Sequence, residues 1–304
     1  DSDLYIEQLC LTISGKIDPK LFEKAWNFVI ETNEMLRTVF HWEGLEKPIQ
    51  IILKEYILQP EFYSFTGKSK QEIELFGAEV KRSERRKISL LHDEVPFRAA
   101  LYQLENGRYE IIVSNHHILY DGWSNGILLK EFFQAYADFA AVRTPMKPVK
   151  TGFKEFVKWL NNRDKVKQEA YWRDYLQGFD TQTELSIKKR SRRETITVGN
   201  FQSCIKKLNR DKIEDFCKAY KITAAALLYC SWGLLLQKYN DSEDVVFGTT
   251  VSGRPAEIQG IENMVGLFIN TIPLRLQAAG DEKIIDLLHR VNDILKERES
   301  YENT

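Results

Sequence analysis

The sequence is short of the features that mark several protein classes. Its 304 residues include only 4 cysteines, 3 methionines, 8 prolines and 5 histidines. Cys10, Cys204, Cys217 and Cys230 lack the close pairing of a zinc site and all have apolar neighbours. Reduced, buried thiols are therefore expected, and a disulfide framework is not. Neither sign of charge is in excess: 43 Lys and Arg against 44 Asp and Glu leave a net charge of -1. That balance argues against a nucleic-acid-binding protein and, with 43% hydrophobic residues, against global disorder. Long apolar runs are missing as well. The run from Ala224 to Leu236 is broken by Tyr229, Ser231 and Gly233 and stops before Lys238, well short of a membrane span. Nothing at the Asp1 end has the pattern of a signal peptide. These absences predict a globular, cytoplasmic protein with no membrane or nucleic-acid partner, large enough for one two-lobed domain or two domains of about 150 residues.

What is present alternates between strand and helix signals. Leu4 to Ile13 reads as a half-buried strand, and Asp18-Pro19 supplies the cap and preset first turn of a helix through Ile30. Leu36 to Trp42 and Ile49 to Leu53 are expected to pair as strands, and Lys68 to Arg86 forms a charged amphipathic helix. Phe97 to Leu104 and Tyr109 to Val113 make the clearest hairpin, joined through Asn106-Gly107. A helix over Asn125 to Ala140 follows, then two aromatic helices over Phe153 to Leu160 and Val166 to Leu176. Thr181 to Gly199 is polar, carries the basic run Lys188 to Arg193, and reads as a solvated inter-lobe connection. Beyond it come strand Phe201 to Leu208, helices Asp211 to Tyr220 and Thr223 to Tyr239, strands Val245 to Val251 and Leu267 to Leu276, and helix Ile284 to Glu297. Two α/β lobes, over 1–180 and 181–304, are the expected organisation.

The histidines are His41, His92, His116, His117 and His289, so the adjacent pair followed by Asp121-Gly122 is the most informative cluster. Neighbouring strand residues face opposite ways, so one imidazole can enter a cleft while the other packs behind it. Asp121 can orient a side chain or hold the turn. Gly122 permits a sharp turn or a close backbone approach, and amides at the following helix start can stabilise developing negative charge. Such a site suits acyl transfer without a side-chain nucleophile; the same pair serves equally well as structural groups. Opposed faces and the lack of an HExxH or cysteine set disfavour a metal. Ser114 and Ser124 flank the pair, but neither stands in Gly-x-Ser-x-Gly.

The segment Asn115-His116-His117-Ile118-Leu119-Tyr120-Asp121-Gly122-Trp123-Ser124 resembles the His-His-x-x-x-Asp-Gly signature of nonribosomal peptide synthetase condensation domains. Upstream, Asn33 to Phe40 resembles that family's second core motif, with Asn33 where a His is common. Downstream, Tyr136 to Ala140 resembles the fourth motif, Val265 to Arg275 the fifth, and Gly248 to Pro255 the stretch before it. The first and last motifs have no match, which predicts that the chain is a fragment with a truncated second lobe.

The resemblance implies an α/β fold of two chloramphenicol acetyltransferase-like lobes in a V-shaped pseudo-dimer, with the active site at their junction. It implies aminolysis: the amine of an acceptor on one peptidyl carrier protein attacks the donor thioester on another. Both phosphopantetheine arms come from these donor and acceptor carriers, no cofactor or metal is intrinsic, and adenylation or other synthetase domains are neighbours. His117 is expected to face the tunnel as base or amine-positioning group, with His116 supporting the strand from the other face and Gly122 supporting the motif. Asp121 is expected in a structural ion pair with Arg37, Arg254 or Arg275. Asn270 and Thr271 brace the lobe junction or cap a strand end, and Trp123, Tyr136 and Phe139 are expected in core packing. An epimerisation domain, a docking fragment without catalysis and a free-standing acyltransferase are the competing readings. A heterocyclising domain is disfavoured because aspartate replaces the paired histidines there.

Overall fold

The computed structural model of the chain describes residues 5–90, 94–105, 107–185 and 209–303. Strand Phe201 to Leu208 and the basic run Lys188 to Arg193 therefore lie outside the described residues. The elements run β1 (Ile6–Ser14), α1 (Pro19–Thr32), β2 (Thr38–His41), β3 (Ile49–Ile52), β4 (Glu61–Ser64), α2 (Lys70–Arg86), β5 (Phe97–Gln103), β6 (Arg108–His116), α3 (Gly122–Ala140) and α4 (Phe153–Asn161). There follow α5 (Lys165–Tyr175), α6 (Arg210–Tyr220), α7 (Ala224–Asn240), β7 (Asp244–Val251), β8 (Asn270–Gln277) and α8 (Ile284–Arg298).

Side-chain chemistry sets the element boundaries where it was expected to. Asp18 caps α1 by accepting from the amides of Lys20 at 2.8 Å and Leu21 at 3.3 Å, with Pro19 in the first turn. Ser69 and Glu72 close a capping box on α2. The hairpin of β5 and β6 turns with Gly107 at φ +66°, a left-handed conformation that glycine adopts without strain.

Contacts divide the chain into two compact units. One comprises residues up to Asn161 together with Arg254–Ile269; the other comprises Asn162–Gly253 and the residues from Asn270 onwards. The division thus falls elsewhere than between 180 and 181, because α5 packs with the second unit and the 254–269 segment with the first.

In the first unit a four-stranded sheet has the order β1-β6-β5-β4, with β4 parallel to β5 and the other pairs antiparallel. Alternation along β6 sends Ile111 and Val113 to one core and Ile112 to another. The larger core lies under α1 and α3, where Trp26 stacks on Phe132 with ring centroids 4.6 Å apart and Phe22 meets Phe132 edge-on at 5.3 Å. On the other face, Ile73 and Val80 of α2 pack against Phe65, Tyr102 and Ile112. β2 and β3 pair as expected in a separate two-stranded sheet. Cys217 and Cys230 are buried, but Cys10 is exposed, because β1 is an edge strand whose residues alternate outward.

The second unit builds its core from the antiparallel pair β7 and β8 and from α7 and α8, with Val245, Leu276, Leu288 and Val291 at its centre. Arg298, 2% exposed, ends α8 by donating to Thr249 Oγ1 at 3.0 Å and to the Pro273 carbonyl. No single described helix is long and apolar enough to cross a membrane.

Replacing a large, fully buried aromatic leaves a cavity that close-packed neighbours fill only in part. Trp26→Ala is expected to lower stability by about 3–5 kcal/mol, read as a shift of the urea midpoint with an unchanged slope.

Candidate functional site

β6 delivers the motif. It ends at His116, and His117 lies in the turn that follows, so only the first histidine belongs to the strand. Both backbones are tied to flanking chain: the His116 amide donates to the Pro96 carbonyl at 3.0 Å and the His117 amide to the Tyr5 carbonyl at 2.7 Å. The His116 imidazole is occupied in the turn, where its Nδ1 accepts from the Ile118 amide at 3.1 Å. Burial pushes this imidazole below the ordinary histidine range, and the proximity of His117 pushes it the same way. The His117 side chain is 33% exposed, with its Nε2 3.5 Å from Oε1 of Glu7 on β1.

Asp121 has the opposite environment. Its side chain is completely buried, and five donors converge on its carboxylate. Oδ1 accepts from the Ser124 amide at 3.2 Å, from the Ser124 hydroxyl at 3.1 Å and from Arg254 at 3.5 Å. Oδ2 accepts from the amides of Phe268 at 3.0 Å and Ile269 at 3.2 Å. The Asp121 amide donates to the Gly266 carbonyl at 3.1 Å, and the Ser124 hydroxyl lies 3.2 Å from both the nitrogen and the carbonyl oxygen of Gly266. One carboxylate thus caps α3 and holds a loop almost 150 residues further along the chain.

Of the three arginines expected as partners, Arg254 meets Asp121, with only 6% of its side chain exposed. It also donates to the Ser124 hydroxyl at 3.3 Å and to the carbonyls of Ile261 at 2.5 Å and Met264 at 2.8 Å, and its guanidinium carbon lies 4.0 Å from the ring of Phe268. Burial pulls this guanidinium below its ordinary value and Asp121 pushes it back up; it remains a cation. Arg37 is not the partner. It donates to the carbonyl of Leu53 just past β3 at 2.9 Å and to those of Ile30 at 3.2 Å and Glu31 at 3.1 Å in the last turn of α1. Arg275 pairs with Asp244 at 2.6 Å.

The same bonds explain where β8 begins. The sequence pattern predicted a strand from Leu267, but the Phe268 and Ile269 amides donate to Asp121, and the ladder with β7 starts only at Asn270. Asn270 opens that strand, its Nδ2 donating to the Glu302 carbonyl at 2.9 Å and its Oδ1 accepting from the Thr271 amide at 2.8 Å.

Two expectations about the motif change. Gly122 is the first residue of α3 with no left-handed φ, and among the described residues a Cβ there would meet nothing within 4 Å, so neither the turn nor the described packing demands glycine. The close approach occurs at Gly266 instead, where a Cβ would lie 2.5 Å from the Phe153 ring. Trp123 is 58% exposed rather than packed in the core, its Nε1 donating to the Glu262 carbonyl at 3.3 Å. Tyr136 and Phe139 do pack against the core, and the Tyr136 hydroxyl accepts from the Asp18 amide at 2.8 Å. Sequence reasoning missed Ser124 as the bridge to Gly266, although it stands inside the motif, and missed Glu7, which carries no sequence signal beyond its place in a strand. Among the described residues no three His, Cys, Asp or Glu side chains converge as a metal site.

The whole chain, residues 1–304, matches the family model described as Condensation domain. The chain belongs to the condensation domain family. A plipastatin synthase protein from Bacillus subtilis (strain 168) is 35% identical over 303 residues, covering 98% of this chain and 8% of that protein. The chain therefore spans less than a tenth of that relative. The epimerization domain from the third module of tyrocidine synthetase B superposes with a TM-score of 0.81 at 19% identity, covering 99% of this chain and 70% of that one. The first condensation domain of the calcium-dependent antibiotic synthetase, in complex with a substrate analogue, gives a TM-score of 0.75 at 17% identity, covering 99% and 71%. These likenesses establish the condensation-domain fold in its mixed α/β form.

Two outcomes follow from the electrostatics. Breaking a buried, hydrogen-bonded ion pair from one side leaves an uncompensated charge, so Asp121→Ala and Arg254→Ala are each expected to cost about 3–5 kcal/mol. The double variant should cost clearly less than the sum, a coupling that denaturation of all four proteins measures. For His116 the folded state disfavours the protonated ring, so the unfolded chain binds more protons as pH falls below its ordinary value of about 6.5. The contribution of His116 is fully present above that pH and is lost as pH falls through the depressed folded value. Chemical denaturation from pH 8 to 5 should show His116→Gln losing less stability than the parent on acidification.

Proposed function

We propose that the chain forms amide bonds between carrier-bound acyl groups in nonribosomal peptide synthesis, with His117 as the residue that handles the amine proton. The observation that carries this reading is the split within the motif. Asp121 and Ser124 are buried and hydrogen-bonded, the His116 Nδ1 is used by the turn, and the His117 ring, in the turn just past β6, is left one-third exposed. A frame of this kind costs no reorganisation at the moment of reaction.

The substrates are a donor aminoacyl or peptidyl thioester and an acceptor aminoacyl thioester, each on the phosphopantetheine arm of a peptidyl carrier protein. The acceptor nitrogen attacks the donor carbonyl; the C–N bond forms, the C–S bond breaks and the thiolate leaves. His117 accepts the proton from the nitrogen as its charge develops and returns it to the thiolate. Because a thioester is already activated, holding the two arms in reach supplies much of the rate by orientation alone. Gly122, with open space where a Cβ would stand, leaves the start of α3 accessible to an approaching substrate. The carriers and adjoining adenylation or other synthetase domains are the partners, in a cytoplasmic assembly.

Donor and acceptor carriers loaded with several amino acids, quenched and read by mass spectrometry, test the reading. The parent should yield amide product, and His117→Ala, verified as folded, should lose it by about 10²–10⁴-fold with carrier binding retained. Equal product from both proteins would remove His117 from the mechanism. Exchange of the α-proton without amide formation would make the chain an epimerase, and carrier binding with neither reaction would make it a docking fragment.

A further inference from the structure

A groove of about 710 Å³ runs between α3 and the segment 145–150, with Phe28 of α1 also in its wall. That volume lies within the range of pockets that take drug-sized ligands. Trp123 and Ile127 line it from α3, and Pro145, Met146, Pro148 and Val149 from the segment facing them. Much of this lining stands in water: Met146 is 89% exposed and Val149 entirely so.

The walls are held in place. Arg143 donates to Asp138 Oδ1 at 3.0 and 2.8 Å where the segment leaves α3. Lys147 reaches Glu31 at 2.5 Å, and Lys150 reaches Asn33 Oδ1 at 2.6 Å and pairs with Glu131. Two prolines in between fix their own φ. A groove built this way loses little ordering entropy when it is filled.

Gly126 supplies an independent observation. It sits inside α3, where glycine costs about 1 kcal/mol relative to alanine. It has no left-handed φ, and a Cβ there would meet nothing within 4 Å among the described residues. Neither backbone geometry nor packing asks for glycine, and the effect of its missing side chain is to keep the groove open.

Charge selects the ligand. Of the charged groups lining the groove, Glu131 is matched by Lys150 and Asp138 by Arg143. Lys130 has no ion pair among the described residues and stands exposed beside the apolar lining. We propose that this groove binds a medium-chain fatty acid, its alkyl tail along Trp123, Ile127 and Val149 and its carboxylate on Lys130.

Titration calorimetry with decanoate, and with decanol as the uncharged counterpart, tests this on the whole chain. Decanoate should bind saturably at one site per chain. Gly126→Phe, whose ring projects into the groove from a position where nothing obstructs a Cβ, should abolish binding of both compounds without lowering the melting temperature. Lys130→Glu should weaken decanoate at least tenfold and leave decanol unchanged; as an exposed substitution, it also covers the case in which the phenylalanine variant does not fold. Absence of saturable decanoate binding to the parent, undiminished binding to folded Gly126→Phe, or equal decanoate affinity in Lys130→Glu would each overturn the proposal.

Discussion

A carboxylate removed from water must recover its hydration from the protein, and Asp121 does so with five donors from three separate stretches of chain. An effective penalty of several kcal/mol for burying an ion makes the arrangement strongly conditional. If the 254–269 segment is absent from its place, the charge is stranded. The same bonds that satisfy Asp121 fix the turn from His116 to Ser124, dock the Gly266 loop and set the first residue of β8. The geometry of the exposed imidazole follows from satisfying a buried anion five positions away from the first histidine.

Local rules made much of the fold legible. Asp18-Pro19, the Ser69 and Glu72 box and the Gly107 turn each act within a few residues, and each stands where its chemistry predicted. Apolar periodicity anticipated the described helices and most of the described strands for the same reason, but not the short β4, and the expected strand Phe201 to Leu208 lies outside the described residues. What periodicity does not carry is an interaction between distant residues. Three arginines were electrically equivalent as partners for Asp121, and only the folded chain separates Arg254 from Arg37, which serves the end of α1, and Arg275, which serves Asp244. The late start of β8 has the same origin: an apolar run reads as strand until another group takes its amides.

The candidate site shows this limit in miniature. The motif was visible as residue types at a spacing, but the division of labour inside it was not. Trp123 occupies a helical position that a stripe would bury, yet it is largely exposed, with its Nε1 on the Glu262 carbonyl and its ring 5.8 Å from the Arg254 guanidinium carbon. Glycine misleads for a related reason, since the letter records a missing side chain and not its cause. At Gly107 the cause is a left-handed φ; at Gly266 it is the Phe153 ring; at Gly122 and Gly126 the described structure leaves open space.

That open space matters because a chain under ordinary packing fills it. Alanine at either helical position would favour α3, so the two glycines trade helix stability for clearance along one element. They differ in what stands beside them: Gly122 adjoins the buried Asp121 and the turn that presents His117, whereas Gly126 lies four residues on, among apolar side chains and a lysine with no ion pair among the described residues. α3 thus combines a fully packed inner face, carrying Ser124, Leu128, Phe132 and Ala135, with an outer face kept clear. The rigid inner face is what allows the outer one to stay open, since a helix anchored by its N-cap carboxylate and by an aromatic stack on α1 does not need its second face to hold it in place.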